Sequence, residues 1–209
     1  MRKLVVGEFI SLDGVVQAPG APDEDRDGGF THGGWTVPFF DEQLGEIMTE
    51  LVTGAGGLLL GRKTYEGFAA SWPLVPDDDP IAATLNRIPK YVASRTLTTL
   101  EWNNSTLLTG DVAKAVADLK QEPGDELQVS GSSDFLQTLI QHDLVDAYQL
   151  IVFPVLLGGG KRLFGPGTLP TSLRLVDSKT TNTGVVVQRY ERAGELTYGA
   201  MGPEQEQAD

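Results

Sequence analysis

Three short stretches of the sequence combine glycine or serine with cationic and hydroxyl side chains. They are "GRKT" at residues 61–64, "SR" at residues 94–95 and "GSS" at residues 131–133. Each follows an apolar run ("GLLL", "KYVA" and "ELQV") that is typical of a buried strand. Glycine allows a backbone to approach a ligand closely, and the free N–H groups at a helix start attract anions. The pattern predicts an anion-binding rim.

Each of these turns also has a purely structural interpretation. Gly61 suits any tight turn, and Ser132 or Ser133 can cap a helix without binding a ligand. A Ser-Arg pair after a strand is common. In open α/β sheets, however, ligands bind beyond the carboxyl ends of the strands. Three donor-rich turns at one such edge are hard to explain as separate accidents, so we expect them to converge on one ligand.

Apolar runs and helix-period stretches alternate along most of the chain. The first helix is predicted after Asp41, a plausible N-cap, because apolar residues from Leu44 to Val52 recur with helical spacing. The stretch 17–36 is rich in Gly, Pro and Asp, which favours a lid, a binding loop or disorder. The end of the chain reads as two strands joined by a turn containing Asn182 and Gly184.

This alternation predicts an α/β fold with three layers. A mostly parallel central sheet should carry helices on both faces, and the C-terminal hairpin should add an antiparallel pair at one edge. We predict a single domain over residues 1–200, because no repeat and no linker is evident. Residues 201–209 form an acidic stretch that we expect to be a disordered tail.

The composition excludes several classes of function. A formal charge of −13 and a pI near 4.5 argue against a nucleic-acid binder, which needs a basic face. The absence of cysteine excludes disulfides and thiolate catalysis, and the two histidines form no metal-spacing motif, so no metal is expected. No apolar stretch approaches the ~20 residues that span a bilayer. The N-terminus reads as a first strand, and we expect a cytoplasmic protein without a membrane partner.

Five motifs, in order, give the chain its resemblance to a known family. They are "SLDGVV", "LLLGRKTYEGF", "VASRTL", "VSGSSDFLQTLI" and "DAYQLIVFPVLLGGGKRLF". Together they resemble the dihydrofolate-reductase-like family, and more closely its branch related to the reductase domain of bacterial riboflavin biosynthesis. The resemblance covers most of the chain and implies NADPH as the cofactor.

The resemblance also implies the cofactor contacts. In such proteins the turn matching Gly61, Arg62, Lys63 and Thr64 lies at a helix start over the dinucleotide phosphates. Ser94 and Arg95 match the position that grips the adenosine 2′-phosphate, where an arginine fork would favour NADPH over NADH. The family has a second glycine-rich turn, where a helix N-terminus faces the pyrophosphate. This turn is matched here by Gly131, Ser132 and Ser133.

The catalytic and substrate residues are predicted with alternatives. Asp13 would lie near the nicotinamide and relay a proton or orient the substrate, or it closes an Asx turn. Asp41 lies near the family acid of the first long helix, although Glu42 and Glu46 are also near. The substrate contacts implied by the family are the aromatic residues Trp35 and Phe40, which could equally pack in the core, and Leu157 and Gly158.

We therefore expect an NADPH-dependent reductase that transfers a hydride to a small heterocyclic or carbonyl substrate. One alternative is a protein of the same fold that binds NADPH or another nucleotide without turnover. Another is a flavin- or quinone-reducing enzyme of loose specificity. Relatives in the riboflavin branch pair their subunits, so we expect a homodimer, with the apolar segment 150–157 as a possible interface.

Overall fold

The computed structural model describes residues 1–200, and the predicted tail at 201–209 lies outside them. The strands are β1 (Leu4–Ser11), β2 (Gly57–Gly61), β3 (Lys90–Ala93), β4 (Ser105–Leu108), β5 (Leu127–Val129), β6 (Ala147–Phe153), β7 (Leu173–Thr180) and β8 (Val186–Arg192). The helices are α1 (Glu42–Thr53), α2 (Arg62–Ser71), α3 (Pro80–Arg87), α4 (Val112–Gln121) and α5 (Ser133–Gln141).

All eight strands join one sheet in the order β4-β3-β2-β5-β1-β6-β8-β7. The five neighbouring pairs from β4 to β6 are parallel, and the two pairs made by β8 are antiparallel. The predicted fold is thus confirmed: a mostly parallel sheet with an antiparallel C-terminal hairpin at one edge. The chain continues from β1 to β2, β3 and β4 on one side of the sheet and from β5 to β6 on the other, so the centre of the sheet is a topological switch point.

Helices cover both faces of the sheet because its central strands are apolar on both sides. Leu59 packs in a cluster with α4 and α5, whereas its neighbours Leu58 and Leu60 pack in a cluster with α2 and α3. A third cluster joins α1 to β6 and β8. This explains why "GLLLG" shows no polar alternation, since all five of its residues are buried. Within residues 1–200, no helix is long and apolar enough to cross a membrane.

A carboxylate fastens the turn after β1 to the segment after β6. Asp13 accepts hydrogen bonds from the Ser11 hydroxyl (2.7 Å) and from the backbone N–H groups of Leu157 (3.1 Å) and Gly158 (2.8 Å). The Arg162 guanidinium lies 3.6 Å from the same carboxylate. These hydrogen bonds, with that from Ser11 the largest influence, lower the pKa of Asp13 to about 2. Asp13 is therefore a structural clamp between two strand ends.

We predict that Asp13→Asn lowers the free energy of unfolding at pH 7 by about 1–2 kcal/mol, because charge-assisted hydrogen bonds are lost. A carboxyl whose pKa is lowered on folding stabilises the protein above its unfolded pKa, near 4. That contribution disappears as the pH falls from about 4 towards 2. Urea unfolding of both proteins should therefore show that the difference between the free energies of unfolding of wild type and Asp13→Asn shrinks from pH 7 to successively lower pH.

Asp78→Asn is the matched control, because Asp78 is exposed in the loop before α3. It should leave the unfolding curve unchanged at every pH. An Asp13→Asn protein with wild-type stability at pH 7 would show that the clamp contributes nothing.

Candidate functional site

A deep cleft opens at the carboxyl edge of the parallel strands. Its volume is about 1620 Å³, larger than the roughly 300–1,000 Å³ of a site for one drug-sized ligand. The cleft exists because β5 ends at Val129, paired with Val6, while β1 continues to Ser11. Gly7, Glu8 and Phe9 of β1 therefore have no β5 neighbour and line the cleft instead.

Two of the predicted turns are packed directly against each other at this edge. The Gly61 N–H donates to the Gly131 carbonyl (3.2 Å), and the hydroxyls of Thr64 and Ser132 are 3.3 Å apart. A Cβ atom on Gly61 would come within 2.4 Å of the Ser132 hydroxyl oxygen. A Cβ on Gly131, whose φ is +85°, would come within 2.7 Å of the Thr64 hydroxyl oxygen. Both positions therefore require glycine.

The same contact brings two helix starts together. Helix α2 begins at Arg62 after the cap residue Gly61, and α5 begins at Ser133 after the cap residue Ser132. Neither cap residue makes a side-chain hydrogen bond to its helix. The first N–H groups of α2 and α5 are thus available to a ligand, and both helix dipoles present their positive ends to the cleft. This arrangement suits the two phosphates of a dinucleotide.

All of the residues predicted to bind the cofactor line this one cleft: Gly61, Arg62, Lys63, Thr64, Ser94, Arg95, Gly131, Ser132 and Ser133. The structure therefore brings the three turns together as the sequence analysis expected. Whether they bind NADPH stays a prediction.

The cations of the cleft differ in how strongly they are already engaged. Arg62 forms an ion pair with Glu66 (3.2 Å), one turn along α2. Lys63 is held by two carboxylates, as described below. Arg95 is exposed on the loop after β3, and within residues 1–200 no carboxylate lies within 4 Å of its guanidinium. Ser94 accepts backbone hydrogen bonds from two residues of its own turn. Arg95 is therefore the cation most available to a ligand.

Four charged side chains tie the long loop after β1 to the cleft. The Lys63 ammonium contacts Asp25 (2.9 Å) and Asp27 (2.7 Å), and the Lys161 ammonium contacts the same two residues at 2.7 and 2.8 Å. The two lysines lower the pKa of Asp27 to about 2, and both aspartates raise that of Lys63. The loop thus forms one wall of the cleft, and Lys63 supports that wall besides lining the cleft itself.

Part of the cleft wall is apolar. Phe9 of β1 and Phe40 pack edge to face, with ring centroids 5.8 Å apart. Helix α1 contributes only apolar side chains to this wall, and α2 and α3 add others: Met48, Leu51, Val52, Phe68, Ile81 and Leu85. Two amide side chains, Gln128 and Gln149, supply polar groups. Such a wall fits a flat, uncharged molecule.

The other sequence-predicted site residues lie elsewhere, with the exception of Phe40. Asp41 caps α1 by accepting from the Leu44 N–H (2.8 Å), and it does not line the cleft. Trp35 is buried, donates its indole N–H to the Gln17 carbonyl (2.9 Å) and packs against Phe153 in the core. The predicted catalytic role of Asp41 and the predicted substrate contact of Trp35 do not fit these positions.

The predictions for Asp13, Leu157 and Gly158 likewise do not fit, for one shared reason. The Asp13 carboxylate is occupied by the N–H groups of the other two residues, and none of the three lines the cleft. A carboxylate whose pKa is about 2 and whose oxygens already accept three hydrogen bonds holds no proton to give to a substrate.

The sequence analysis missed Glu8, a carboxyl group inside the cleft. Glu8 lies in the middle of β1 and is only 8% exposed. Burial is the main cause that raises its pKa to about 8, and a hydrogen bond from the backbone of Gly131 opposes that shift. The signal was present in the sequence: one acidic residue interrupts the apolar run "KLVVGEFI" of a central strand.

Comparisons with known proteins agree with this architecture. Two proteins of Bacillus subtilis (strain 168), both uncharacterized, are similar over 92% of this chain: YyaP, 26% identical over 96% of its length, and YwjB, 27% identical over 99% of its length.

Among solved structures, a Shewanella sp. PV-4 protein provisionally assigned to riboflavin biosynthesis has a TM-score of 0.62, 24% identity and coverage of 92% of this chain and 99% of that one. A pyrimidine reductase-like protein of Corynebacterium diphtheriae has a TM-score of 0.58 and 13% identity, with 93% of each chain covered.

Dihydrofolate reductase of Enterococcus faecalis, solved in complex with NADP(H), also has a TM-score of 0.58, with 14% identity and coverage of 92% and 97%. At these identities the likeness shows the fold.

The family model of the RibD C-terminal domain matches residues 2–187. The chain therefore belongs to the RibD C-terminal domain family.

Proposed function

We propose that the protein is an NADPH-dependent reductase that transfers a hydride to a small, flat heterocyclic or carbonyl substrate. One observation carries the proposal: the uncapped N-termini of α2 and α5 are locked together at the cleft by the Thr64–Ser132 contact. Membership of the RibD C-terminal domain family and a fold shared with an NADP(H)-bound dihydrofolate reductase support it.

The cleft offers hydrogen-bond donors suited to the pyrophosphate and to the 2′-phosphate of the cofactor. The first N–H groups of α2 and α5 suit the pyrophosphate. The exposed Arg95 guanidinium suits the 2′-phosphate, which it can grip with two parallel hydrogen bonds. When bound, NADPH would supply the hydride, while the protein orients both molecules and excludes water. The apolar wall around Phe40 and Leu51 would then hold the substrate.

The charges of the cleft support a bound anion although the protein is acidic. The chain carries a formal charge of −13, but Arg62, Lys63 and Arg95 all line the cleft, and Arg95 has no ion-pair partner within residues 1–200. A few local cations together with oriented amides can form a positive pocket on an acidic protein.

We predict that Arg95→Ala weakens NADPH binding roughly 10- to 100-fold, because a hydrogen bond to a charged group contributes about 1.5–3 kcal/mol. NADH lacks the 2′-phosphate, so its affinity should change less than about threefold, since Arg95 then has no phosphate to contact. Fluorescence titration of both reduced nucleotides measures the difference.

The matched control is Arg87→Ala, which removes an exposed arginine at the end of α3, outside the cleft. It should leave both affinities unchanged. Equal weakening of NADPH and NADH by Arg95→Ala would show that Arg95 does not bind the 2′-phosphate.

The second candidate is a protein that binds the nucleotide without turnover. It is favoured by one observation: within the described chain, α1 places no carboxylate in the cleft, because Glu42, Glu46 and Glu50 are exposed. Tight NADPH binding, with no oxidation by any member of a panel of aldehydes, quinones and dihydrofolate, would favour this candidate over the reductase.

We also propose a homodimer, with β7 as its interface. All eight residues of β7 are exposed, and Leu173, Leu175 and Val176 present apolar side chains that are 37–48% exposed. A long exposed edge strand is a template for pairing with another chain. The segment 150–157 named by the sequence analysis fits less well, since β6 lies inside the sheet between β1 and β8.

We predict a dimer mass for the wild type and a monomer mass for Leu175→Lys at micromolar concentration, because a buried lysine would lack a partner. Light scattering coupled to gel filtration measures both masses. Leu74→Lys, at a position that is 82% exposed before α3, is the control and should stay dimeric. A monomeric wild type would contradict the proposal.

A further inference from the structure

The carboxyl group of Glu8 lies inside the cleft without a protein partner for one of its oxygens. The side chain is more than nine-tenths buried, it lines the cleft, and its Oε1 atom has no hydrogen-bond partner within residues 1–200. Buried polar atoms are almost always hydrogen-bonded, so an unpaired one calls for an explanation. Two other buried oxygens of the described chain, Asp41 Oδ2 and Ser105 Oγ, are also unpaired, but only Glu8 lines the cleft. A ligand in the cleft is the natural partner of the Glu8 oxygen.

The surroundings keep this carboxyl group neutral near pH 7. Its pKa is raised to about 8, first by burial and further by the negative charge of Glu24 in the loop wall, against the opposing backbone hydrogen bond from Gly131. The nearby cations are used elsewhere: Lys63 and Lys161 pair with the loop aspartates, and Arg62 pairs with Glu66. A neutral carboxyl can donate a proton, which an ionised one cannot.

The other acidic side chains of the cleft are unsuited to this task. Glu24 accepts hydrogen bonds from the N–H groups of Gly20 and Ala21, and Asp111 caps α4. Asp25 and Glu66 are held by the cations already named, and Asp134 is exposed at the start of α5. Glu8 is thus the one buried carboxyl that lines the cleft in the described part of the chain.

We propose that Glu8 is the acid that donates a hydrogen bond, and then a proton, to the carbonyl oxygen or imine nitrogen of the reacting substrate. The proposal rests on the proposed reductase function and names what that function lacked, a proton donor. It also defines the substrate class: a neutral, flat carbonyl or imine compound, because a buried neutral acid and an apolar wall offer an anion no counter-charge.

In the proposed step, the proton of Glu8 goes to the substrate heteroatom that takes up the electron pair. As the acceptor carbon receives the hydride, the π electron pair of the C=O or C=N bond moves to the heteroatom. The O–H bond of Glu8 breaks, its proton forms a new O–H or N–H bond on the product, and Glu8 becomes a carboxylate. Water entering the open cleft after product release returns a proton to Glu8.

The protonation state of Glu8 can be tested without any ligand. The pKa of Glu8 is about 8 in the folded protein, whereas its usual value is 4.5. Between those two pH values the folded protein therefore binds more protons than the unfolded chain. Wild-type stability therefore falls as the pH rises through that window. Glu8→Gln removes this slope, so the Tm of the variant relative to wild type should increase steadily from pH 5 to pH 8.

The matched control for this measurement is Glu46→Gln, an exposed change on α1, which should give a constant Tm difference. A constant difference for Glu8→Gln as well would show that Glu8 is not held neutral, and that result would overturn the proposal.

Donation to a substrate is tested with 4-(dimethylamino)cinnamaldehyde, a flat neutral aldehyde whose absorbance shifts to the red when its carbonyl accepts a strong hydrogen bond. With NADP⁺ present, wild type should shift this band at pH 7 and lose the shift as the pH rises past about 8. Glu8→Gln should show a much smaller shift at both pH values. No shift with wild type, or an equal shift with the variant, would overturn the proposal.

Turnover of the same aldehyde separates this proposal from the function on which it rests. Glu8→Gln should lower kcat about 100-fold or more, the contribution typical of general acid catalysis, and NADPH affinity should stay within about threefold. An unchanged kcat would overturn the role of Glu8. If wild-type protein fails to bind NADPH at all, the proposed function fails, whereas the Tm and absorbance results still decide whether Glu8 is a neutral donor.

Discussion

The contact between two glycine turns sets the geometry of the whole site. A Cβ atom on Gly61 would clash with Ser132 and one on Gly131 would clash with Thr64, and the hydroxyls of Thr64 and Ser132 lie 3.3 Å apart. This contact is made at the end of the short strand β5, whose early stop also opens the cleft beside β1. Two helix starts, the floor of the cleft and its entrance are therefore fixed by one local packing arrangement.

The cationic side chains around this contact differ in whether they are paired with a carboxylate. The long loop after β1 places Asp25 and Asp27 on Lys63 and Lys161, so these cations hold the wall of the cleft. Arg95 keeps its guanidinium exposed. A local cation and oriented amide groups can thus offer an anion-binding surface on an acidic protein, while other walls of the cleft are apolar.

Lys90 and Glu8 are both buried ionisable residues, but their polar atoms differ in whether the protein provides hydrogen-bond partners. The Lys90 side chain is fully buried, and its ammonium donates to the carbonyls of Leu85 and Asn86 and lies 4.3 Å from the centre of the Trp102 ring. Burial lowers its pKa to about 8, but its hydrogen bonds are satisfied by α3. Glu8 is buried as well, yet one of its oxygens has no partner and the side chain lines the cleft, which makes Glu8 a candidate functional group.

The sequence by itself determined the fold class, the helix cap at Asp41 and the three donor-rich turns, because periodicity and turn chemistry are local properties. Only the tertiary structure decided which residues face the cleft. The Asp13 carboxylate accepts hydrogen bonds from two N–H groups about 145 residues away. The buried Glu8 side chain lines the cleft because β5 stops before β1 does. Strand neighbours and strand lengths arise from long-range packing, which no local pattern records.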